Sequence, residues 1–194
     1  MPKDKRARGN RGAALIEAAL ITPVFLLLLF GVFEWSYGFL DRLTVKNTSL
    51  AGARVASSEG LNGTADYNIL QAAKRASQAM RSGQIQLVVV YEATSYSASV
   101  PASCLTTSQA GICNRYTGSD FTAPLSSFGC GTNKLDNAYC PTTMRKVAQG
   151  GVNGPPDYVG IYVQGLHNNI TGLFGKTMTF KSDTVLRLEP SRLG

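Results

Sequence analysis

From Ala13 to Phe33 the chain reads AALIEAALITPVFLLLLFGVF, an almost unbroken apolar run in which Glu17 and Thr22 are the only strongly polar positions. At about 1.5 Å per residue a helix of this run covers ~30 Å, the thickness of a hydrocarbon core. No stop signal follows it. Phe39, Leu43, Leu50 and Ala53 keep a helical spacing up to the Ser57-Ser58-Glu59-Gly60 break, which predicts one helix from about Ala13 to Ser57. Pro23 interrupts its hydrogen-bond ladder and Gly31 and Gly38 loosen it, so a bend is expected near Pro23.

After the turn-like Asn62-Gly63, residues 65–80 place Ile69, Ala73, Ala76 and Met80 on one face and Lys74, Arg75 and Gln78 elsewhere, the pattern of a short amphipathic helix. The period then changes. Ile85 to Tyr91, IQLVVVY, and Tyr158 to Val163, YVGIYV, are β-branched runs and predict strands. Residues 177–188 alternate, with Met178, Phe180, Leu186 and Leu188 on one side and Lys181, Asp183 and Arg187 on the other, as a half-buried antiparallel strand does. Residues 101–156, rich in Ser, Thr, Gly, Asn and Pro, predict a long irregular surface loop. The fold class is α+β: a long N-terminal helix, a second helix and a small antiparallel sheet of three strands.

Composition and charge turn this pattern into a layout. The chain has 194 residues, 16% of them charged, and a net charge of +7, enough length for one modest domain and an anchor. Much of the excess precedes the apolar run: Lys3, Lys5, Arg6, Arg8 and Arg11 against Asp4 give residues 1–12 a net +4. Only Arg42 and Lys46 follow within the next 20 residues on the other side. That asymmetry keeps the N-terminus in the cytoplasm and sends residues 35–194 across. No basic motif of a nucleic-acid binder accompanies the charge, so nucleic acid is not an expected partner. A cleaved secretory signal has an apolar core of roughly 7–15 residues and a small-x-small site. Here the run is longer and Glu34-Trp35-Ser36-Tyr37 follows it, which reads as a retained anchor in the lipid bilayer. The layout is therefore a basic leader over 1–12, a transmembrane helix over 13–33, its continuation over 34–58 and an exported α+β domain over 59–194.

Cys104, Cys113, Cys130 and Cys140 all lie in the exported part, spaced C-x8-C-x16-C-x9-C. With no CxxC pair and a single histidine, His167, a metal cluster is not expected, and disulfides in an oxidising compartment are. Three pairings are possible, and loop-closure cost favours the two local ones, Cys104 with Cys113 and Cys130 with Cys140. No nucleophile elbow, metalloprotease helix or phosphate loop is present, and Gly129-Cys130-Gly131 lacks the third glycine of a dinucleotide loop. His167, in GLHNNITG, reads as a solvated loop histidine. No enzyme activity and no cofactor are expected.

Glu17 stands out physically. A carboxylate inside an apolar helix costs about 3 kcal/mol at the bilayer centre and less near an end, so it either snorkels to the interface or finds a partner. If a peptidase cut the chain after Gly12, the new amine at Ala13 would lie four residues before Glu17. The carboxylate could then neutralise that amine on a neighbouring subunit as helices pack side by side.

A short basic leader ending in glycine, with glutamate fifth after it, resembles the prepilin signal of type IV pilin-like proteins. The wider stretch from Arg11 to Ser57, with Arg11-Gly12, Glu17, Pro23, the apolar run, Glu34, and Ala51 to Ala56 with Arg54, resembles the N-terminal domain of TadE-like proteins, minor pseudopilins of the tight-adherence (Flp pilus) system. Thr184 to Pro190, TVLRLEP, resembles that family's closing strand. The major Flp pilin pattern has tyrosine where this chain has Ala18, type II secretion pseudopilins begin with an aromatic residue where it has Ala13, and the D-x-S-x-S of TadG-like relatives is lacking. A TadE-like or TadF-like minor component is what the resemblance implies. It would be a bacterial inner-membrane protein with a periplasmic domain, processed by a prepilin peptidase between Gly12 and Ala13. Its partners would be other pseudopilins, pilin subunits and the inner-membrane assembly platform, in pilus assembly, adherence or biofilm formation. The alternative is an uncleaved signal-anchored envelope protein that binds a ligand or surface directly, as an adhesin does.

Overall fold

The computed structural model describes residues 10–80, 83–146, 156–172 and 175–189. Residues 1–9 of the expected leader lie outside the described residues, while Asn10, Arg11 and Gly12 already belong to the first helix. That helix, α1, runs without interruption over Asn10–Glu59, through Pro23 and past both ends of the expected Ala13–Ser57 range. The turn after it is held by Asn62, whose Oδ1 accepts the backbone N–H of Thr64 at 3.0 Å. Helix α2, Ala65–Ser77, then buries Ile69, Leu70 and Ala73 on one face. Ala76 is half-buried on that helix, whereas Met80 lies beyond its end and still packs against the core.

The sheet is antiparallel with four strands, one more than the three expected. Strands β1 (Gly83–Ala93), β2 (Cys113–Thr117), β3 (Tyr158–Asn168) and β4 (Thr177–Arg187) lie in the order β2-β1-β3-β4. The fourth, β2, comes from the tract taken as loop and pairs Leu87 to Tyr91 with Thr117 to Cys113. One sheet face, with Val88, Val90, Val159, Ile161 and Val163, packs under α1 and α2. The opposite face carries Leu87, Val89, Tyr91, Ala93 and Tyr162, and the segment around Ala98, Val100 and Leu105 closes over it. Each large apolar side chain removed from water here contributes about 1.5–3 kcal/mol.

Both disulfides are the local ones that loop closure favours, Cys104 with Cys113 and Cys130 with Cys140. Around them the chain makes short helical turns, including α3, Pro141–Met144. On the covered face, Tyr91 lies across Gly160, its cross-strand neighbour, so closely that an added Cβ would sit 2.1 Å from the ring. Gly160→Ala is therefore expected to destabilise the domain by about 1–3 kcal/mol, read as a lowered unfolding midpoint of the detergent-solubilised chain, because the tyrosine is fully buried and has nowhere to move.

Candidate functional site: an exposed apolar helix and its clamp

The two halves of α1 have opposite environments. From Gly12 to Phe30 every residue is exposed, with Leu15 at 72% and Leu28 at 67%, although this is the most apolar part of the chain. A helix so apolar and so uncovered is long enough to cross a membrane. Gly12 and Ala13 sit in its first turns, and a Cβ added at Gly12 would touch nothing. Glu17 is exposed in the next turn and makes no hydrogen bond or ion pair among the described residues. The expected processing point and the expected assembly carboxylate thus share one open helical surface.

At Glu34 the environment inverts. Its carboxylate, 1% exposed, accepts the backbone N–H groups of Ile170 at 2.8 Å and Thr171 at 2.9 Å and the Thr171 hydroxyl at 3.0 Å. Charge-assisted bonds of this kind are roughly twice as strong as neutral ones. They hold the tip of the β3–β4 hairpin against the helix where the apolar run ends. Two turns on, Asp41 bonds His167 Nδ1 at 2.8 Å, both side chains fully buried. His167 is therefore not the solvated loop residue expected from its neighbours, because β3 extends to Asn168 and carries it under α1.

Beyond this point small residues let α1 lie close on the sheet. A Cβ at Gly38 would come within 3.3 Å of Met178, and one at Gly52 within 3.1 Å of Ile161. The Ser49 hydroxyl bonds those of Ser182 at 2.8 Å and Thr184 at 2.9 Å on β4. Ser57 donates to the Arg187 carbonyl at 2.7 Å and receives the Glu189 N–H on its own carbonyl at 2.9 Å. The second half of α1 is thereby part of the domain core, and the exposed half projects from it as one continuous rod.

The disulfide-bearing segment is organised around a second buried carboxylate. Asp66 pairs with Arg145, both side chains fully buried. Asp66 Oδ2 also accepts the Tyr116 hydroxyl at 2.6 Å and Asn114 Nδ2 at 2.8 Å. Asn114 in turn donates to the Tyr139 carbonyl at 2.9 Å and accepts its N–H at 2.7 Å. Burial and the neighbouring Asp66 push the Tyr116 hydroxyl well above the ordinary tyrosine range, so it remains a donor at physiological pH. Burial works against the Arg145 charge, but Asp66 and Tyr139 outweigh it and hold the guanidinium protonated. Asp136 accepts the N–H groups of Gly129 and Cys130 at 2.9–3.0 Å. Cys130 takes up a φ of 63° beside Gly129 at 110°. The glycine-flanked cysteine is thus a turn built around a carboxylate and a disulfide, and its backbone N–H groups are already occupied.

Among the described residues the buried polar groups are engaged with one another. The His167–Asp41 pair could orient a base, but it is sealed between α1 and β3, with the Phe180 ring 6.1 Å away. All four cysteines are in disulfides, and among the described residues no group of histidine, cysteine and carboxylate side chains could hold a metal ion. The arrangement presents surfaces: a bare apolar rod, and a folded domain clamped to it.

Residues 12–54 match the family described as TadE-like protein. This stretch of α1 is similar to the TadE-like family. The match begins at Gly12 and ends at Arg54, so it includes Glu17, Pro23, the apolar run, Glu34 and Asp41 and leaves out α2, the whole sheet and both disulfides. No curated protein and no solved structure matches the chain. The matched stretch is 43 of the chain's 194 residues.

Within the matched segment, spacing singles out Gly12, Ala13 and Glu17 in the sequence but gives no sign of what Glu34 binds. That residue was visible only as the charge ending an apolar run, a signal that does not reveal partners 136 residues away. Asp66, Asn114 and Arg145 were not singled out either, since each is an ordinary polar residue until the fold buries it.

Proposed function

We propose that this chain is a minor pseudopilin of the tight-adherence pilus machinery. It enters the bacterial inner membrane with its N-terminus in the cytoplasm, is cut after Gly12 by a prepilin peptidase, and joins other pseudopilins and pilin subunits at the assembly platform through α1. The observation that carries this reading is the wholly exposed apolar half of a TadE-like helix that continues, unbroken, into the core of a disulfide-bonded domain. Such a rod has no apolar partner among the described residues, and lipid or other helices are suited to cover it. The basic residues before it and the disulfides after it support the orientation.

In this reading Glu17 neutralises the new amine of Ala13 on a neighbouring helix. A polar contact between helices in lipid is worth about 1–2 kcal/mol, so its loss should lower incorporation by roughly tenfold. Glu17→Ala is expected to leave the amount of exported, disulfide-bonded protein unchanged while reducing its recovery with sheared pili or the assembly platform to that extent. Unchanged recovery and piliation would remove Glu17 from the assembly role.

A further inference from the structure

The end of the domain nearest the apolar run carries surface that the anchor alone does not account for. Trp35, the only tryptophan of the chain, is 70% exposed one residue after Glu34, and Phe39 is exposed one turn later. With Gly38, Arg42, Met178 and Phe180 they line a groove of about 110 Å³ between α1 and the edge strand β4. The β3–β4 hairpin tip reaches the same level, because Glu34 holds the N–H groups of Ile170 and Thr171, and the Ile170 side chain is left 65% exposed.

Height along α1 places these groups. The apolar run ends at Phe33, and the polar layer outside the hydrocarbon is about 5–8 Å thick on each side. At ~1.5 Å per residue Trp35 and the Glu34-bound tip fall inside that layer, and Phe39 at its outer edge. Tryptophan and other amphipathic aromatics prefer this layer, and cations there meet lipid phosphates. Lys176 is exposed beside the hairpin tip and Arg42 about one turn above the layer, whereas the carboxylates of this end, Glu34 and Asp41, are buried and bonded inward.

We propose that this end of the domain is seated in the headgroup layer of the bilayer that α1 crosses, with Ile170 as a second apolar contact and Glu34 as the residue that sets its depth. The proposal rests on α1 spanning the membrane, as in the function proposed above. Its occupant is the lipid surface. The groove is continuous with the apolar rod, and the exposed charge beside it complements anionic headgroups. A clamp of this kind also holds the hairpin tip at the level where the apolar run ends.

The test uses the full chain reconstituted into vesicles of phosphatidylethanolamine and phosphatidylglycerol whose acyl chains carry bromine either near the headgroup or near the chain end. Native Trp35 is read first. Then the Trp35→Phe, Ile170→Trp variant moves the single reporter to the hairpin tip, and Thr132→Trp in the same background places it on an exposed loop of the disulfide-bearing segment. Expected are blue-shifted emission and stronger quenching by shallow than by deep bromine at positions 35 and 170, and neither effect at 132. Adding Glu34→Ala should return the reporter at 170 to water-like, unquenched emission with an unchanged far-ultraviolet circular dichroism spectrum. Quenching at 35 without quenching at 170 would overturn the seating while leaving the anchor intact. No quenching at 35 would remove the spanning helix and the seating with it. Quenching at 170 that survives Glu34→Ala would show that the introduced side chain, not the clamp, chose the depth.

Discussion

Asp66→Ala should destabilise the domain by about 3–5 kcal/mol, because it strands the fully buried Arg145 guanidinium and takes an acceptor from Tyr116 and Asn114 at once. Against a typical total of 5–15 kcal/mol this is enough to leave the domain largely unfolded at growth temperature. The check is equilibrium unfolding of the detergent-solubilised chain by tyrosine fluorescence and circular dichroism. A second variant separates the charge from the carboxylate's other bonds. Asp66→Ala with Arg145→Met removes the stranded charge and fills its volume, and should recover a good part of the loss. If the double variant is no more stable than Asp66→Ala alone, the cost lies in the bonds to Tyr116 and Asn114 rather than in the uncompensated charge.

The second large effect concerns the cysteines. Cys104–Cys113 and Cys130–Cys140 close loops with sequence separations of 9 and 10 residues. Cross-linking loops of this size constrains the unfolded chain by about 2–3 kcal/mol each. Changing all four to serine should therefore cost roughly 5 kcal/mol, provided the two bridges act independently. The two are not equivalent. Cys113 precedes Asn114 but is already held by the β1–β2 ladder, whereas Cys140 follows Tyr139, whose backbone carbonyl and N–H both bond Asn114 from a turn, so the Asp66 network relies more on the second bridge. Cys130→Ser with Cys140→Ser should be the more damaging pair, seen as a lower midpoint and faster proteolysis between Ala93 and Lys146. Equal effects of the two pairs would show that the bridges act on the unfolded chain alone.

How much of this was legible before folding depends on what kind of signal each element carries. The apolar run and the β-branched strands announce themselves by period, and α1, α2, β1, β3 and β4 lie where their periods place them. Strand β2 does not, because the side chains it sends toward the helices are Asn114 and Tyr116, which bury themselves by bonding Asp66 rather than by being apolar. His167 was hidden for a related reason. Gly165 and the Asn-rich turn beside it look like loop, but that glycine sits in β3, where a Cβ would meet Val45 of α1 at 2.6 Å. The local cysteine pairing followed from chain entropy, which depends on spacing alone. Glu34 and Asp66 could not be read in advance, since a buried carboxylate declares itself only through donors brought from far along the chain.

The covered half of α1 explains why a single helix can serve two environments. Its small and hydroxyl-bearing face, Gly38, Ser49, Gly52 and Ser57, is bonded and packed to β3 and β4, so the exposed half extends from a fixed base. No break in α1 separates the two halves. In the function proposed above, the exposed half is a processed assembly helix.

Processing leaves its record in the mature N-terminus. The protein should be purified from its own cells, with and without the prepilin peptidase, and its N-terminal peptide identified by mass spectrometry. Ala13 is expected as the first residue when the peptidase is present, and the Met1–Gly12 leader is expected to be retained when it is absent. The leader retained in both strains would contradict processing and leave an ordinary signal-anchored envelope protein.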